Sequence, residues 1–209
     1  VGDAIILRPV YQQPDRRPWV ALPELRERVA RYRGRGKQAA STALGLIRQG
    51  AESRPETLVR LAIRDAGLPE PEVNPVIRDS GGRFLGRGDL VYRRWRVIAE
   101  YDGEQHRRST RQFDHDVQRL EGFANNGWHV VRIVGRSFFA DRRGSIARVA
   151  RVLLNAVWLI GGKTALADAF RTRALKGIAG MKWIKDSEDF REGDFVVWSW
   201  DRRGVGDHV

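Results

Sequence analysis

The sequence predicts an α+β domain: a small mixed β-sheet built round a central hairpin, with helices packed against it. Three observations point there. Between Asp89 and Gly103 two runs rich in β-branched and aromatic residues flank the polar pair Arg93-Arg94, the pattern of a hairpin with a short turn. Trp128 to Val134 alternates between faces, as a further strand beside that hairpin would. Around these lie segments with apolar residues at helical spacing and recognisable start and stop residues. A chain of 209 residues accommodates one domain of ordinary size and an appendage. The expected division is a basic helical extension over 1–50, a core over 51–160 and an appendage over 161–209.

Residues 1–20 hold several prolines and no clear period, so an extended or poorly ordered lead-in is expected. Pro23 then opens a helix with Leu22, Leu25, Val29 and Tyr32 on one stripe. Arg26, Arg28, Arg31, Arg33, Arg35 and Lys37 make this stretch strongly basic, either as a solvated face or as phosphate contacts. A short helix from Ser41 to Arg48 follows. Ser53-Arg54-Pro55-Glu56 is a helix start: serine caps, glutamate stands three residues on, and proline lies in the first turn. Gly67 and Pro69 end that helix. Pro71 and Pro75 hold Val73 to Ile77 extended, and Asp79-Ser80-Gly81-Gly82 forms a turn.

After the hairpin, Arg107-Arg108-Ser109-Thr110-Arg111 reads as a basic connection. Ser109 or Thr110 caps a helix with Phe113, Val117, Leu120 and Ala124 in line, stopped by Gly127. Ser145 is expected to cap a last helix carrying Ile146, Val149, Leu153, Val157 and Ile160. In the appendage, 165–175 suits a helix and 195–200 a strand.

Composition narrows the function. The net charge is +12, with 38 basic residues against 26 acidic ones, the balance of a polyanion binder. Nucleic acid fits better than a membrane surface, since no long apolar run or basic amphipathic helix stands out. Hydrophobic residues make up 42%, which supports a sizeable core. Absence of cysteine excludes disulfides, thiolate zinc sites and cysteine nucleophiles, and suits a reducing cytoplasm. Ala4-Ile5-Ile6-Leu7 is too short and lacks the basic leader of a signal peptide. The chain begins at Val1, as a truncated product or one begun at an alternative codon would. No phosphate loop, dinucleotide fingerprint or zinc-spaced histidine pair occurs.

The hairpin carries the chemistry. Side chains alternate across a strand, so Ile98, Glu100 and Asp102 share a face. With a two-residue turn Asp89 lies diagonal to Glu100. With four residues the two face each other, β-carbons roughly 5 Å apart. Either turn gathers Asp89, Glu100 and Asp102 on one face, where like charges repel, whereas a three-residue turn would separate them. A bound divalent cation relieves that repulsion, and so do pairings with nearby arginines. Oxygen ligands without cysteine suit Mg²⁺ or Mn²⁺.

Glu56, Asp89, Glu100-x-Asp102-Gly103-x-x-His106, Asp116-x-x-Arg119 and Gly127-Trp128-x-Val130-Val131-Arg132, in that order and spacing, resemble the PD-(D/E)XK nuclease superfamily. The likeness is closest to very-short-patch-repair-like endonuclease domains of actinobacterial type, and spans roughly residues 51–155. It implies a restriction-endonuclease-like core that hydrolyses phosphodiester bonds of DNA with Mg²⁺ or Mn²⁺. Asp89 and Glu100 would hold the metal, Asp102 would be a third or outer ligand, and Glu56 a helix-borne acid at the same site. Glu56 equally has a complete explanation as a cap. Arg119 either pairs with Asp116 at i,i+3 spacing or turns to the active site.

One departure stands out. The superfamily's closing lysine is replaced by Asp102, and residues 38–162 contain no lysine. His106 is the nearby alternative for moving a proton, as its ordinary pKa lies near neutrality. Arg107, Arg108, Arg111 and Arg119 would clamp phosphates, with Arg31, Arg33 and Arg35 extending the footprint. A second reading is a nuclease-fold module that grips DNA without cutting it, since relatives of this kind accompany toxin–antitoxin and mobile-element genes. RNA is the weaker alternative as partner.

Overall fold

The computed structural model describes residues 1–9, 16–103 and 110–161, without the side chains of 110–114 and 157–161. In the first part of the chain lie helices α1 (Gly2–Ile6), α2 (Leu22–Arg31), α3 (Lys37–Leu46) and α4 (Arg54–Asp65). Strands β1 (Glu72–Val73), β2 (Val76–Arg78), β3 (Phe84–Arg87), β4 (Leu90–Tyr92) and β5 (Val97–Asp102) come next. After them come α5 (Thr110–Asn125), β6 (His129–Val134), α6 (Gly135–Ala140) and α7 (Arg142–Gly161). The sheet order is β1-β4-β5-β6, with β2 and β3 forming a separate two-stranded ribbon. β4 runs antiparallel to β1 and β5, while β6 is parallel to β5, so the sheet is mixed as expected.

The hairpin turn fixes the sheet's register. Leu90 lies opposite Ala99 and Tyr92 opposite Val97, so the turn holds four residues. They form a 3-10 turn over Arg93–Trp95, closed by Arg96 at φ 50. Alternation then divides the sheet's two faces. Leu90, Tyr92, Val97, Ala99, Val131 and Ile133 pack with Val59 and Ile63 of α4, Phe138 of α6 and Val149 and Leu153 of α7. Val91 and Ile98 point the other way, onto Phe123 of α5, Trp128 and Ile77. Each such buried valine, leucine, isoleucine or phenylalanine side chain contributes about 1.5–3 kcal/mol.

α4 begins as the sequence requires: the Ser53 hydroxyl accepts the Glu56 N–H at 3.3 Å. It ends at Gly67, whose φ of +75 closes the last turn as only glycine does cheaply. Other expectations need correction. The lead-in is no extended strap throughout, because residues 2–6 are helical and Asp3 is buried. The short helix expected over Ser41 to Arg48 runs Lys37–Leu46, since Gly36 in left-handed conformation starts it and Asp3 Oδ1 takes the Arg48 N–H at 2.8 Å beyond its end. α7 starts at Arg142, because Asp141 Oδ1 caps the Gly144 N–H at 2.9 Å, four residues before Ser145 could act. In α5, Leu120 turns inward as expected, but Val117 and Ala124 are exposed, and Arg119 and Phe123 take their places on the inner face. An arginine on the buried stripe is what hid the phase of that helix.

α1 is joined to the core by charge. The fully buried Arg60 of α4 donates to Asp3 Oδ2 at 3.0 Å, Glu70 Oε1 at 2.7 Å and the Leu46 carbonyl at 2.6 Å. Arg48 reaches the other Glu70 oxygen at 2.7 Å. α2 and α3, by contrast, have no buried residue and pack chiefly on each other. No helix among the described residues is long and apolar enough to cross a membrane. The stretch 162–209, with its expected helix and strand, lies outside the described residues.

Removing one partner of a buried ion pair leaves the other charge stranded. Asp3→Ala is expected to lower the free energy of unfolding by about 3 kcal/mol, read by urea denaturation at pH 7. A loss below about 1 kcal/mol would show that Glu70 and the Leu46 carbonyl satisfy Arg60 without Asp3.

Candidate functional site

Carried one residue past the Leu90–Ala99 pair, the register sets Asp89 opposite Glu100, on the face that packs against α5. Asn74 then ties a third acid to this place. Between β1 and Pro75 it adopts φ 49, a conformation asparagine tolerates better than most residues. Its backbone N–H donates to the Asp89 carbonyl at 2.8 Å, and its Nδ2 donates to Glu56 Oε2 at 2.7 Å and to the Gly50 carbonyl at 2.8 Å. The N-terminus of α4 is thereby clamped to the strand end that bears Asp89.

Glu56 performs a displaced form of its capping task. Its own N–H bonds the Ser53 hydroxyl, but its carboxylate accepts the N–H of Glu52 at 2.9 Å. The cap and the proximity to Asp89 therefore coexist, since its negative charge acts on that residue. Asp102 behaves differently from the expectation. It lies on the same face as Glu100, but Arg132 of β6 donates to its Oδ2 at 2.6 Å and draws it into a separate ion pair. The acids that act on Asp89 are Glu100 and Glu56. Among the described residues no group of three or more acidic, histidine or cysteine side chains forms a ready-made ligand cage.

Glu100 is held by Arg119, with Nη1 to Oε1 at 2.6 Å and Nη2 to Oε2 at 3.0 Å. This is the two-pronged geometry that makes arginine–carboxylate pairs strong. Nη1 also donates to the Arg87 carbonyl at 3.0 Å, and the guanidinium lies 5.6 Å from the centre of the Phe123 ring. Asp116 stands farther off, at 3.7 Å. Of the two partners open to Arg119, Glu100 is the one it grips. Gly86 makes room: a β-carbon there would come within 3.1 Å of the Arg119 stem and 2.9 Å of Phe123.

These surroundings shift Asp89. Burial pushes its carboxyl pKa up to about 7, and the negative charges of Glu100 and Glu56 add to the rise. The Tyr101 N–H, donating to Asp89 Oδ2 at 2.8 Å, and the Arg119 charge act in the opposite sense. Crowded acids do raise a carboxyl here, but burial is the larger cause. Among the described residues Asp89 Oδ1 and Glu56 Oε1 accept no hydrogen bond.

The remaining candidates fall elsewhere. His106, Arg107 and Arg108 lie outside the described residues, as does the side chain of Arg111. Arg31 is paired with Glu27 on α2, Arg33 donates to the Ala30 carbonyl at 3.3 Å, and Arg35 is exposed. None of these three touches the acids. Sequence reading missed Asn74 and Arg132 as site residues. An asparagine before proline, at the end of a short extended run, signals a turn. Nothing in the spacing shows that its side chain reaches Glu56.

The chain is 33% identical over 134 residues to uncharacterized proteins from two strains of Mycobacterium tuberculosis. The match covers 64% of this chain and 49% of each relative, so the chain spans about half the length of the curated relatives it matches. No family model matches the chain. No solved structure matches it either.

The raised Asp89 pKa links stability to pH. Unfolded, this carboxyl ionises near its ordinary 3.8; folded, it keeps its proton up to about 7. Between those values the folded state binds more protons, so stability falls as pH rises, by ~4 kcal/mol at most. Asp89→Asn keeps an oxygen for the Tyr101 N–H and removes the ionisation. In chelator the variant is expected to melt above wild type at pH 8 and level with it near pH 4. Parallel melting curves across that range would mean Asp89 ionises in the folded protein without hindrance.

Proposed function

We propose that the chain is a Mg²⁺- or Mn²⁺-dependent endonuclease that hydrolyses phosphodiester bonds in DNA, working in the cytoplasm on a restriction-endonuclease-like core. The observation that most supports this reading is the partly buried Asp89 carboxyl facing the buried Glu100, with Glu56 beside it. Three carboxylates against one guanidinium leave the place short of positive charge. Asp89 Oδ1 and Glu56 Oε1 are hard oxygens with no hydrogen bond among the described residues. That donor set fits an ion that takes one or two carboxylates and keeps several waters. Asp89 and Glu100 would hold it. Bound there, the ion lowers the pKa of a water and neutralises charge developing on the phosphate.

The chain's own residues do the rest. Glu56 adds negative charge beside Asp89 and orients water from its free oxygen. His106 moves a proton, with Asp102 outside the site on Arg132. Arg107, Arg108, Arg111 and Arg119 bind phosphate oxygens, while Arg31, Arg33 and Arg35 extend contact along the duplex. A second reading, a nuclease-fold module that binds DNA without cutting it in a toxin–antitoxin or mobile-element setting, draws on two specific observations. Arg119 already compensates Glu100, and Asp102 stands in place of the lysine. Plasmid incubated with Mg²⁺ or with chelator separates the two readings.

Asp89→Ala and Glu100→Ala are each expected to abolish Mg²⁺-dependent nicking while duplex affinity stays within about threefold, because affinity comes from the phosphate-binding arginines. Wild-type turnover by either variant would remove both residues from the site. Glu56→Gln separates cap from catalysis, as glutamine is accepted at that position and can still receive both hydrogen bonds. Cleavage is expected to fall by about tenfold or more at an unchanged melting temperature. Undiminished cleavage would leave Glu56 as a cap alone.

A further inference from the structure

We propose that Arg119 is a built-in counter-cation, occupying Glu100 until a divalent cation displaces it. The inference rests on the metal-dependent reading above and concerns how that site is regulated.

Both Glu100 oxygens are engaged by the guanidinium, at 2.6 Å and 3.0 Å. A divalent ion drawn to this place by Asp89 and Glu56 finds its best facing carboxylate already taken. Guanidinium and ion are both positive, and a partly buried setting screens their repulsion poorly. Sharing Glu100 is therefore unfavourable, and one of the two must yield.

Arg119 is built to yield without disturbing the fold. Its stem packs over Gly86, where a β-carbon would come within 3.1 Å of it, and its head lies 5.6 Å from the centre of the Phe123 ring. Its charge is carried on a long side chain of α5 rather than on the sheet. Asp116 lies one turn back at 3.7 Å with more than half of its side chain exposed, an acid to which the guanidinium can turn when Glu100 is lost. The Asp116-x-x-Arg119 spacing then has a physical purpose: it gives the arginine a second partner on its own helix.

The test is Mn²⁺ binding by the whole chain, read from the electron paramagnetic resonance signal of the free ion, for wild type, Arg119→Gln and Arg119→Lys. Glutamine removes the competing charge. Its Mn²⁺ affinity is expected to rise by about tenfold or more, the scale of hydrogen bonds to a charged partner. Its melting temperature in chelator should fall, and Mn²⁺ should restore it. Lysine keeps a cation but cannot grip both oxygens, so its affinity should lie between the two. It also carries the comparison should the glutamine variant not fold. Binding that is unchanged or weaker in both variants overturns the inference while leaving the metal site standing. If none of the three proteins binds Mn²⁺, the metal-dependent reading fails and this inference with it.

Discussion

The antiparallel register of β4 and β5 sets Asp89 opposite Glu100, and like charges so placed repel. Much of the surrounding structure answers that repulsion. Arg119 reaches in from α5 to neutralise Glu100, Arg132 draws Asp102 aside, and the Tyr101 N–H holds one Asp89 oxygen. What is left uncompensated gathers on Asp89, which retains a proton up to about pH 7. The ribbon of β2 and β3 serves the same arrangement, since the Arg87 carbonyl and Gly86 seat the Arg119 side chain.

A second buried charge is managed in the opposite way. Arg60 meets Asp3, Glu70 and a carbonyl, so its positive charge is shared among oxygens from distant parts of the chain. Only its Nε, among buried side-chain polar atoms of the described residues, has no partner. Arg60 is neutralised through its two terminal nitrogens and joins segments of the fold, whereas Asp89 is left in deficit. That contrast separates a charge used to join segments from one suited to holding a ligand.

Much of this was legible in residue patterns, and the failures have identifiable causes. The hairpin, the start of α4 at Ser53 and the fourth strand depend on short-range rules of alternation and capping, and they appear where those rules put them. The shared face of Asp89 and Glu100 follows from alternation once the turn holds an even number of residues. Turn length does not, and it took the left-handed Arg96 to place the two acids directly opposite. The inward face of α5 was hidden because Arg119 occupies a position that hydrophobic periodicity assigns to an apolar residue. The pairing of Asp102 with Arg132 depends on a parallel neighbour far away in sequence, which no local pattern encodes. α1 was missed for the same reason, since five residues show no helical period and the ion pair of Asp3 with Arg60, beside buried Ile6 and Leu7, joins it to partners far along the chain.

The parallel pairing of β5 with β6 also imposes an order on assembly. β4 and β5 are separated by four residues, so their hairpin closes locally, while β6 can join only after the whole of α5 has been looped across. Loop-closure entropy alone would bring Asp89 and Glu100 together before the helix carrying their arginine docks. The nascent hairpin bears its charge conflict alone, and the arrival of α5 resolves it. Ionic strength, which screens exposed charges, should therefore act more on how quickly this chain folds than on how stable it finally becomes.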